Sequence, residues 1–252
     1  MSVVTTPAIL LRAHPYSESS LVLRFFAESL GTVAVMAKGL RRQGGRSGPG
    51  LDVFAGGILT LYMKENRELQ TMKDFETIAP RRGLARNVIR FGGAAVMAEL
   101  VLRHAGEAAV PILYETLERA LDAIDQAPDD AIIESVLGAG WGLVGTMGYS
   151  PVLDTCVTCG TALDSEEVGR FDLDAGGIRC AACAAGTTGA RIGPGARAQL
   201  SGLLDGSVDR LSRPLAHVRL LSDFVTYHVS GSRPLESFGF LASLLESDQD
   251  EI

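Results

Sequence analysis

The four cysteines of the chain form two CxxC pairs, and no other pattern in the sequence has chemistry as clear. Cys156 and Cys159 make the first pair, Cys180 and Cys183 make the second, and residues 160–179 separate them. Four thiolates on two tight turns can surround one tetrahedral Zn²⁺ at about 2.3 Å per sulfur. Because cysteine fills every ligand position, none remains for a water, and the spacing predicts one structural zinc per chain rather than a catalytic one.

Two disulfides, or free thiols, are the alternative for these cysteines. The chain opens at Met1 with neither a basic segment nor a long apolar run, so we expect no secretory signal and a cytoplasmic protein. A reducing compartment disfavours disulfides, and this favours the metal.

Charge is divided unevenly along the chain. The formal net charge is −7, which taken alone argues against a polyanionic partner. Residues 1–90, however, contain 13 Lys and Arg against 7 Asp and Glu, which leaves 10 against 23 for residues 91–252. A basic first part joined to an acidic remainder indicates an anion-binding surface on one domain and a different task for the other. No apolar run reaches the roughly 18 residues of a membrane span, so we expect no membrane partner.

Five short stretches rich in β-branched and aromatic residues precede residue 80. They lie at 3–13, 20–27, 32–38, 58–63 and 69–75, with turn-forming residues between them. Five strands in so short a segment predict a small closed barrel of the oligonucleotide-binding (OB) type. A sandwich edge or an SH3-like barrel would show a similar pattern, so spacing alone leaves these alternatives open.

A glycine-rich basic segment at residues 38–50 joins the third and fourth predicted strands. It contains no acidic residue and four cations, Lys38, Arg41, Arg42 and Arg46. We expect a mobile loop that can follow a phosphate backbone, while nearby aromatic rings offer stacking faces for bases. The candidate rings are Tyr16, Phe25, Phe26 and Tyr62. The alternative is a solvated loop beside rings that belong to the core.

A second basic cluster follows Pro80 and comprises Arg81, Arg82, Arg86 and Arg90. The last three are spaced i, i+4, i+8, which would place them on one face of a helix. The cluster could extend an anion-binding surface that includes Arg81, Arg82 and Arg86. It could equally be a solvated face or a partner of the acidic domain.

From about residue 84 the apolar residues recur with a helical period instead of alternating. Helical patterns also follow the second cysteine pair, at about 195–204, 215–229 and 236–246, and residues 171–178 predict a small hairpin between the pairs. The predicted fold class is α+β multidomain, with an N-terminal five-stranded OB-type β-barrel followed by an α-helical domain interrupted by a four-cysteine zinc module. The expected boundaries are 1–80 for the barrel, 81–150 and 191–252 for the two helical parts, and 151–190 for the zinc module.

Motifs of the common enzyme classes are absent from the sequence. It contains no GxxxxGK[ST] phosphate loop, no Rossmann fingerprint after its first strand, no HExxH and no GxSxG. None of its four histidines is followed two residues later by Glu, as a zinc deaminase requires. We therefore expect neither an enzyme nor a small-molecule substrate.

Several stretches, in order along the chain, resemble the RecO family of bacterial recombination mediators. They are residues 16–26 (YSESSLVLRFF), 31–33 (GTV), 37–42 (AKGLRR), 148–153 (GYSPVL), 176–180 (GGIRC) and 233–241 (RPLESFGFL). Each stretch is short, but together the stretches span nearly the whole chain. Their combined order and spacing make the resemblance specific.

The resemblance implies an OB domain, a zinc-containing helical domain and a role in recombinational repair. Family members bind single- and double-stranded DNA, anneal complementary strands, and act with RecR so that RecA loads onto DNA coated by single-strand binding protein (SSB). Position by position, it implies DNA contact by Lys38, Arg41 and Arg42, and by Arg24 on the second strand. Glu236 stands where the family often has a basic residue. The basic candidates for the acidic tail of SSB are Arg103, Arg119 and Arg219.

Two further interpretations remain open at this point. A zinc-containing protein-interaction adaptor with no direct nucleic-acid role would explain the acidic total charge. A zinc-containing RNA-binding factor would have the same residues, because discrimination of the 2′-hydroxyl depends on details of a pocket.

Overall fold

The computed structural model describes residues 2–38, 51–106, 108–208 and 210–250, and within these ranges five strands precede six α-helices and a small second sheet. The strands are β1 (Ser2–Pro15), β2 (Leu21–Ala27), β3 (Gly31–Ala37), β4 (Gly56–Met63), β5 (Leu69–Ala79), β6 (Gly169–Asp172), β7 (Gly177–Arg179) and β8 (Arg191–Ile192). The helices are α1 (Val88–His104), α2 (Pro111–Gln126), α3 (Ile132–Thr146), α4 (Pro194–Asp205), α5 (Pro214–His228) and α6 (Glu236–Asp250).

The first five strands close into a barrel in the order β1-β2-β3-β5-β4. The first half of β1 pairs with β4 and its second half pairs with β2, both antiparallel. A short parallel pairing of Ala34–Met36 with Leu69–Thr71 joins β3 to β5. This strand number and closure confirm the predicted N-terminal five-stranded OB-type domain.

Alternation along the strands fills the barrel with apolar side chains. On β2, Leu21, Leu23 and Phe25 are buried while Arg24 between them is exposed. The ring of Phe25 lies 5.0 Å from that of Phe75, and Phe26 faces Tyr114 of α2 at 6.2 Å. Both phenylalanines are 0% exposed. For Phe25 and Phe26 the alternative interpretation, rings that belong to the core, is therefore confirmed, because both faces of β2 are covered at this end of the strand.

Helices α1 and α2 form one compact unit with the barrel, and this unit spans Met1–Gln126. The predicted end of the barrel domain lay at residue 80. Gly31 begins β3 with a φ of +68°, and a Cβ at this position would clash with the carbonyl oxygen of Ala108 in the α1–α2 linker. The backbone N–H of Thr32 donates to Gly106 O at 3.0 Å. The close approach that glycine permits thus fixes the linker on the barrel.

Burial divides the basic cluster at residues 81–90 into two kinds of side chain. Arg81 is only 6% exposed; its Nε lies 2.7 Å from the Asp122 carboxylate and its guanidinium donates to Phe54 O at 2.9 Å. Arg90 is also buried and donates to Ile124 O at 2.8 Å, at the C-terminal end of α2, where a cation is favoured. Arg82 and Arg86 are exposed.

Two predictions about this cluster are therefore contradicted. Arg81 cannot contact DNA from the folded unit, because its guanidinium is enclosed and hydrogen-bonded to the protein. Arg82, Arg86 and Arg90 do not line one helix face, since α1 begins only at Val88 and Arg90 points inward. The helix begins there because the Asn87 side chain caps it, accepting hydrogen bonds from the backbone N–H groups of Ile89 and Arg90.

The second compact unit spans Ala127–Ile252 and contains α3 to α6 together with the sheet β7-β6-β8. Trp141 of α3 packs edge-on against Phe224 of α5, with ring centroids 5.1 Å apart. The small sheet and all four cysteines lie between α3 and α4 in the chain, so the predicted interruption of a helical domain is confirmed. Among the described residues, no helix combines the length and the apolar character needed to cross a membrane.

We expect Arg81→Ala to lower the free energy of unfolding by about 2–3 kcal/mol, because the change leaves the Phe54 carbonyl without its donor and removes the ion pair with Asp122. Urea denaturation of the full chain measures the effect. Arg82→Ala is the matched control, and as an exposed substitution it should stay within about 0.5 kcal/mol of the unsubstituted chain. Equal stabilities of the two variants would contradict the anchoring role of Arg81.

Candidate metal centre and nucleic-acid interface

Each cysteine pair lies on a tight turn of the same form. The N–H of Gly160 donates to Cys156 O, and the N–H of Ala184 donates to Cys180 O, both at 2.9 Å. Gly160 has a φ of +73°, which glycine adopts without strain. The second turn directly follows β7, which pairs with β6 over Gly177–Arg179, so a hairpin carries it as predicted. Two equivalent turns thus present four sulfurs to one point.

The four sulfur atoms form a cluster of the size that a metal ion requires. All four Sγ atoms lie within 4.8 Å of one another, and those of Cys159 and Cys180 are 3.9 Å apart. Tetrahedral ligands with bonds of about 2.3 Å place sulfurs about 3.8 Å from each other. The two sulfurs of a disulfide lie about 2.05 Å apart, and none of the four cysteines forms a disulfide. The donor set fits a metal ion and does not fit the disulfide alternative.

Proton affinities within the cluster are unequal. Burial raises the pKa of Cys156, but backbone N–H groups of Cys180, Cys159 and Thr158 directed at its sulfur outweigh this and lower the pKa to about 6. Hydrogen bonding with Cys180 and Cys159, followed by burial, raises the pKa of Cys183 to about 12. Cys156 therefore gives up its proton more readily than Cys183 does. A bound cation would displace those protons and stabilise all four thiolates.

Side chains outside the turns attach this module to the helical unit. Glu167 accepts a hydrogen bond from the N–H of Ala181 at 2.8 Å, and Arg197 of α4 donates to Ser165 O at 2.9 Å. His228 of α5 bonds through Nε2 to Leu173 O at 2.7 Å, and its ring lies 4.4 Å from that of Phe224. The sulfur cluster is thus held by packing as well as by its own turns.

The outer face of the barrel carries two arginines directly opposite each other. Arg24 on β2 pairs in register with Arg12 on β1, and both are exposed. Like charges in such positions repel, and neither arginine forms an ion pair with any described residue. An anion between them would relieve the repulsion. Arg12 was not among the predicted contacts, because its face depends on a bulge between Leu10 and Arg12 that the residue pattern does not reveal.

A groove of about 330 Å³ runs beside Arg24. Thr32 and Ala34 of β3 line it, together with Arg67 and Glu68 from the turn between β4 and β5. From the sequence this segment was predicted only as a turn between two strands. An OB barrel, however, binds its ligands on the faces of its second and third strands beside this very turn, and that geometry is the signal that would have identified Arg67.

The other predicted contacts fall into three groups. Lys38 is exposed just after β3, and Arg82 and Arg86 are exposed just before α1. Tyr16 is 68% exposed and Tyr62 is half-buried. The remaining loop cations, Arg41, Arg42 and Arg46, lie outside the described residues.

Comparison with known proteins agrees with this architecture. The family model described as "Recombination protein O N terminal" matches residues 1–81, and that described as "Recombination protein O C terminal" matches residues 85–235. The chain is 31% identical to the DNA repair protein RecO of Geobacter metallireducens, over 97% of this chain and 99% of that protein. It is 28% identical to that of Desulfatibacillum aliphaticivorans, over 97% and 98% of the two chains. The chain therefore belongs to the RecO family of DNA repair proteins.

Proposed function

We propose that the chain is a non-enzymatic, DNA-binding recombination mediator whose outer barrel face binds the phosphate backbone. The observation that carries this proposal is the cross-strand pair of Arg12 and Arg24, with Arg67 at the adjacent groove. Arginines that lack an ion-pair partner, on the ligand-binding face of an OB barrel in a family of DNA repair proteins, suit the phosphates of single- and double-stranded DNA. The exposed cations Lys38, Arg82 and Arg86 extend this surface, and Arg41, Arg42 and Arg46 are proposed to join it.

Contacts of this kind do not depend on base sequence. Arginine binds phosphate oxygens without reading the edges of bases, and the bases can stack on exposed rings such as Tyr16. A mediator that acts wherever DNA is damaged requires such sequence-independent binding.

Annealing of complementary strands follows from the same charges. Two single strands repel each other through their phosphates, and partial neutralisation by a basic surface lowers that repulsion while base pairing supplies the driving force. No bond is broken and no nucleotide is hydrolysed in this process. The proposal therefore requires no catalytic residue.

We further propose that the chain acts with RecR to help load RecA onto SSB-coated single-stranded DNA, with the acidic second half as the site of protein contacts. Of the three basic candidates for the SSB tail, Arg219 is already 2.7 Å from Glu246 and Arg103 lies 3.5 Å from Glu99. Arg119 is exposed on α2 and bonded only within its own helix among the described residues. Of the three, Arg119 is therefore the arginine without a carboxylate partner among the described residues, and it is the most available to an acidic tail.

The four-cysteine cluster is proposed to hold Zn²⁺ in a structural role. Four thiolates at tetrahedral spacing are the ligand set of structural zinc sites, and a bound ion would join the two turns across the β6–β7 hairpin. Cys156, Cys159, Cys180 and Cys183 would be its ligands.

A protein-interaction adaptor is the second candidate function. It is favoured by the balance of 10 basic against 23 acidic residues over positions 91–252. An adaptor would show tight binding of a protein partner and no salt-sensitive affinity for oligonucleotides, which separates it from the first proposal.

Replacing both arginines of the cross-strand pair (Arg12→Ala with Arg24→Ala) should weaken binding of a single-stranded oligonucleotide by about 10- to 100-fold at low salt. The slope of log affinity against log salt should fall in magnitude by about 1.4, because each lost phosphate contact contributes about 0.7 on a single strand. Fluorescence anisotropy at several salt concentrations measures both quantities. Arg210→Ala removes an exposed arginine from the second unit and should change neither. An unchanged slope in the double variant would remove these arginines from the interface.

Changing Lys38, Arg41 and Arg42 together to Ala should slow the annealing of complementary oligonucleotides at least several-fold, since less phosphate charge is neutralised as the strands meet. Quenching between labelled strands follows the rate. A triple change of Arg191, Arg210 and Arg213, which are exposed in the second unit, removes the same charge elsewhere. Annealing at the unsubstituted rate with the loop variant would exclude the loop from this function.

Cys159→Ser should reduce bound zinc well below one ion per chain and lower the thermal stability of the second unit, because bound structural zinc contributes free energy of folding. Metal analysis by mass spectrometry and thermal denaturation test this, with Ser165→Ala in the same module as the control. DNA binding by the barrel should survive the change. Full zinc content together with unchanged stability would contradict the proposed site.

A further inference from the structure

Gln70 is one of the few buried polar side chains among the described residues, and it lies at the end of the barrel beneath the β4–β5 turn. It is 6% exposed. Its carbonyl oxygen accepts a hydrogen bond from Lys64 N at 2.9 Å, and its amide nitrogen donates to Lys64 O at 3.1 Å and to Arg67 O. One side chain thus satisfies three backbone groups of a five-residue turn.

The chemistry of these partners fixes the orientation of the carboxamide. A backbone N–H can only donate and a carbonyl can only accept, so reversing the amide would break all three bonds at once. The turn itself is closed by Arg67 N donating to Lys64 O at 3.2 Å. Gln70 therefore adds a rigid tie from the barrel interior to both ends of this turn.

The turn carries a cation of the groove. Arg67 lines the same groove as Arg24, and the backbone at Arg67 is the part of the turn that the Gln70 amide holds. Glu68 also lines the groove, so the conformation of the turn determines how close its carboxylate and the Arg67 guanidinium lie to Arg24. The turn therefore affects the electrostatic potential that a ligand meets in the groove.

We propose that Arg24 and Arg67 form a preorganised subsite for one phosphodiester group of a nucleic-acid strand, and that Gln70 is its positioning residue. This inference rests on the proposed DNA-binding function. Because Gln70 already holds the turn in the binding geometry, less conformational entropy is lost when the strand binds than a flexible turn would lose. Gln70 also lines the groove, but its amide nitrogen donates to Lys64 O and Arg67 O, so it acts through the turn that carries Arg67.

A double-mutant cycle on the full chain tests the inference, with labelled single-stranded oligothymidylate as the probe. Arg67→Ala should weaken binding about 5-fold and lower the salt slope by about 0.7. Gln70→Met, which keeps the length of the side chain without its polar atoms, should weaken binding to a similar extent. The double variant should also lose about 5-fold rather than about 25-fold, because the second change removes a contact already lost.

The matched control pairs Gln70→Met with Arg12→Ala, which lies on β1 away from the turn, and here the losses should multiply. Multiplication in both pairs, or an unchanged salt slope for Gln70→Met, would overturn the positioning role. If Gln70→Met does not fold, Gln70→Asn replaces it in the same cycle, because it is uncharged and too short to keep all three bonds to the turn. Absence of salt-dependent binding by the unsubstituted chain would instead refute the proposed function itself.

Discussion

One additional residue in β1 determines what the barrel presents to a ligand. Before the bulge, Leu10 pairs with Phe25, and after it Arg12 pairs with Arg24, so Leu11 has no partner of its own on β2. In an uninterrupted register Arg12 would stand opposite Leu23, on the side of the sheet that faces the core. The bulge moves it to the outer face and also bends β1 from its pairing with β4 toward its pairing with β2.

The same residue type has opposite roles within the first unit, and burial separates them. Arg81 is enclosed and joins the segment before α1 to Phe54 O and to Asp122 of α2, while Arg90 of α1 donates to Ile124 O at the end of α2. Arg12 and Arg24 face solvent without a carboxylate partner among the described residues. A guanidinium enclosed by protein cannot be reached by a phosphate, while an exposed pair of arginines that repel each other would gain from binding one. The positions of these arginines in the sequence do not show which of them are buried and which are exposed.

The fold was predictable where a local pattern determines it, and unpredictable where long-range contacts do. Alternation predicted all five barrel strands, and the spacing of the cysteines predicted the four-cysteine cluster, because each depends on residues close together in the sequence. Membership of α1 and α2 in the barrel unit depends instead on Gly31 meeting the Ala108 carbonyl, which no periodicity reveals. The arginine groove is a similar case, since Arg24 and Arg67 meet only after β3 has paired with β5.

The acidic total charge of the chain is compatible with a phosphate-binding face, because binding depends on local charge. At an ionic strength near 0.1 M, exposed charges separated by more than about 10 Å are largely screened from each other. The charged side chains that line the groove are Arg24, Arg67 and Glu68, and Arg12 lies opposite Arg24 on the neighbouring strand, so the local balance is positive. With so few charges in the groove, the position of each one has a large effect. A barrel that holds the β4–β5 turn from within, through Gln70, fixes the position of two of them without a high net charge.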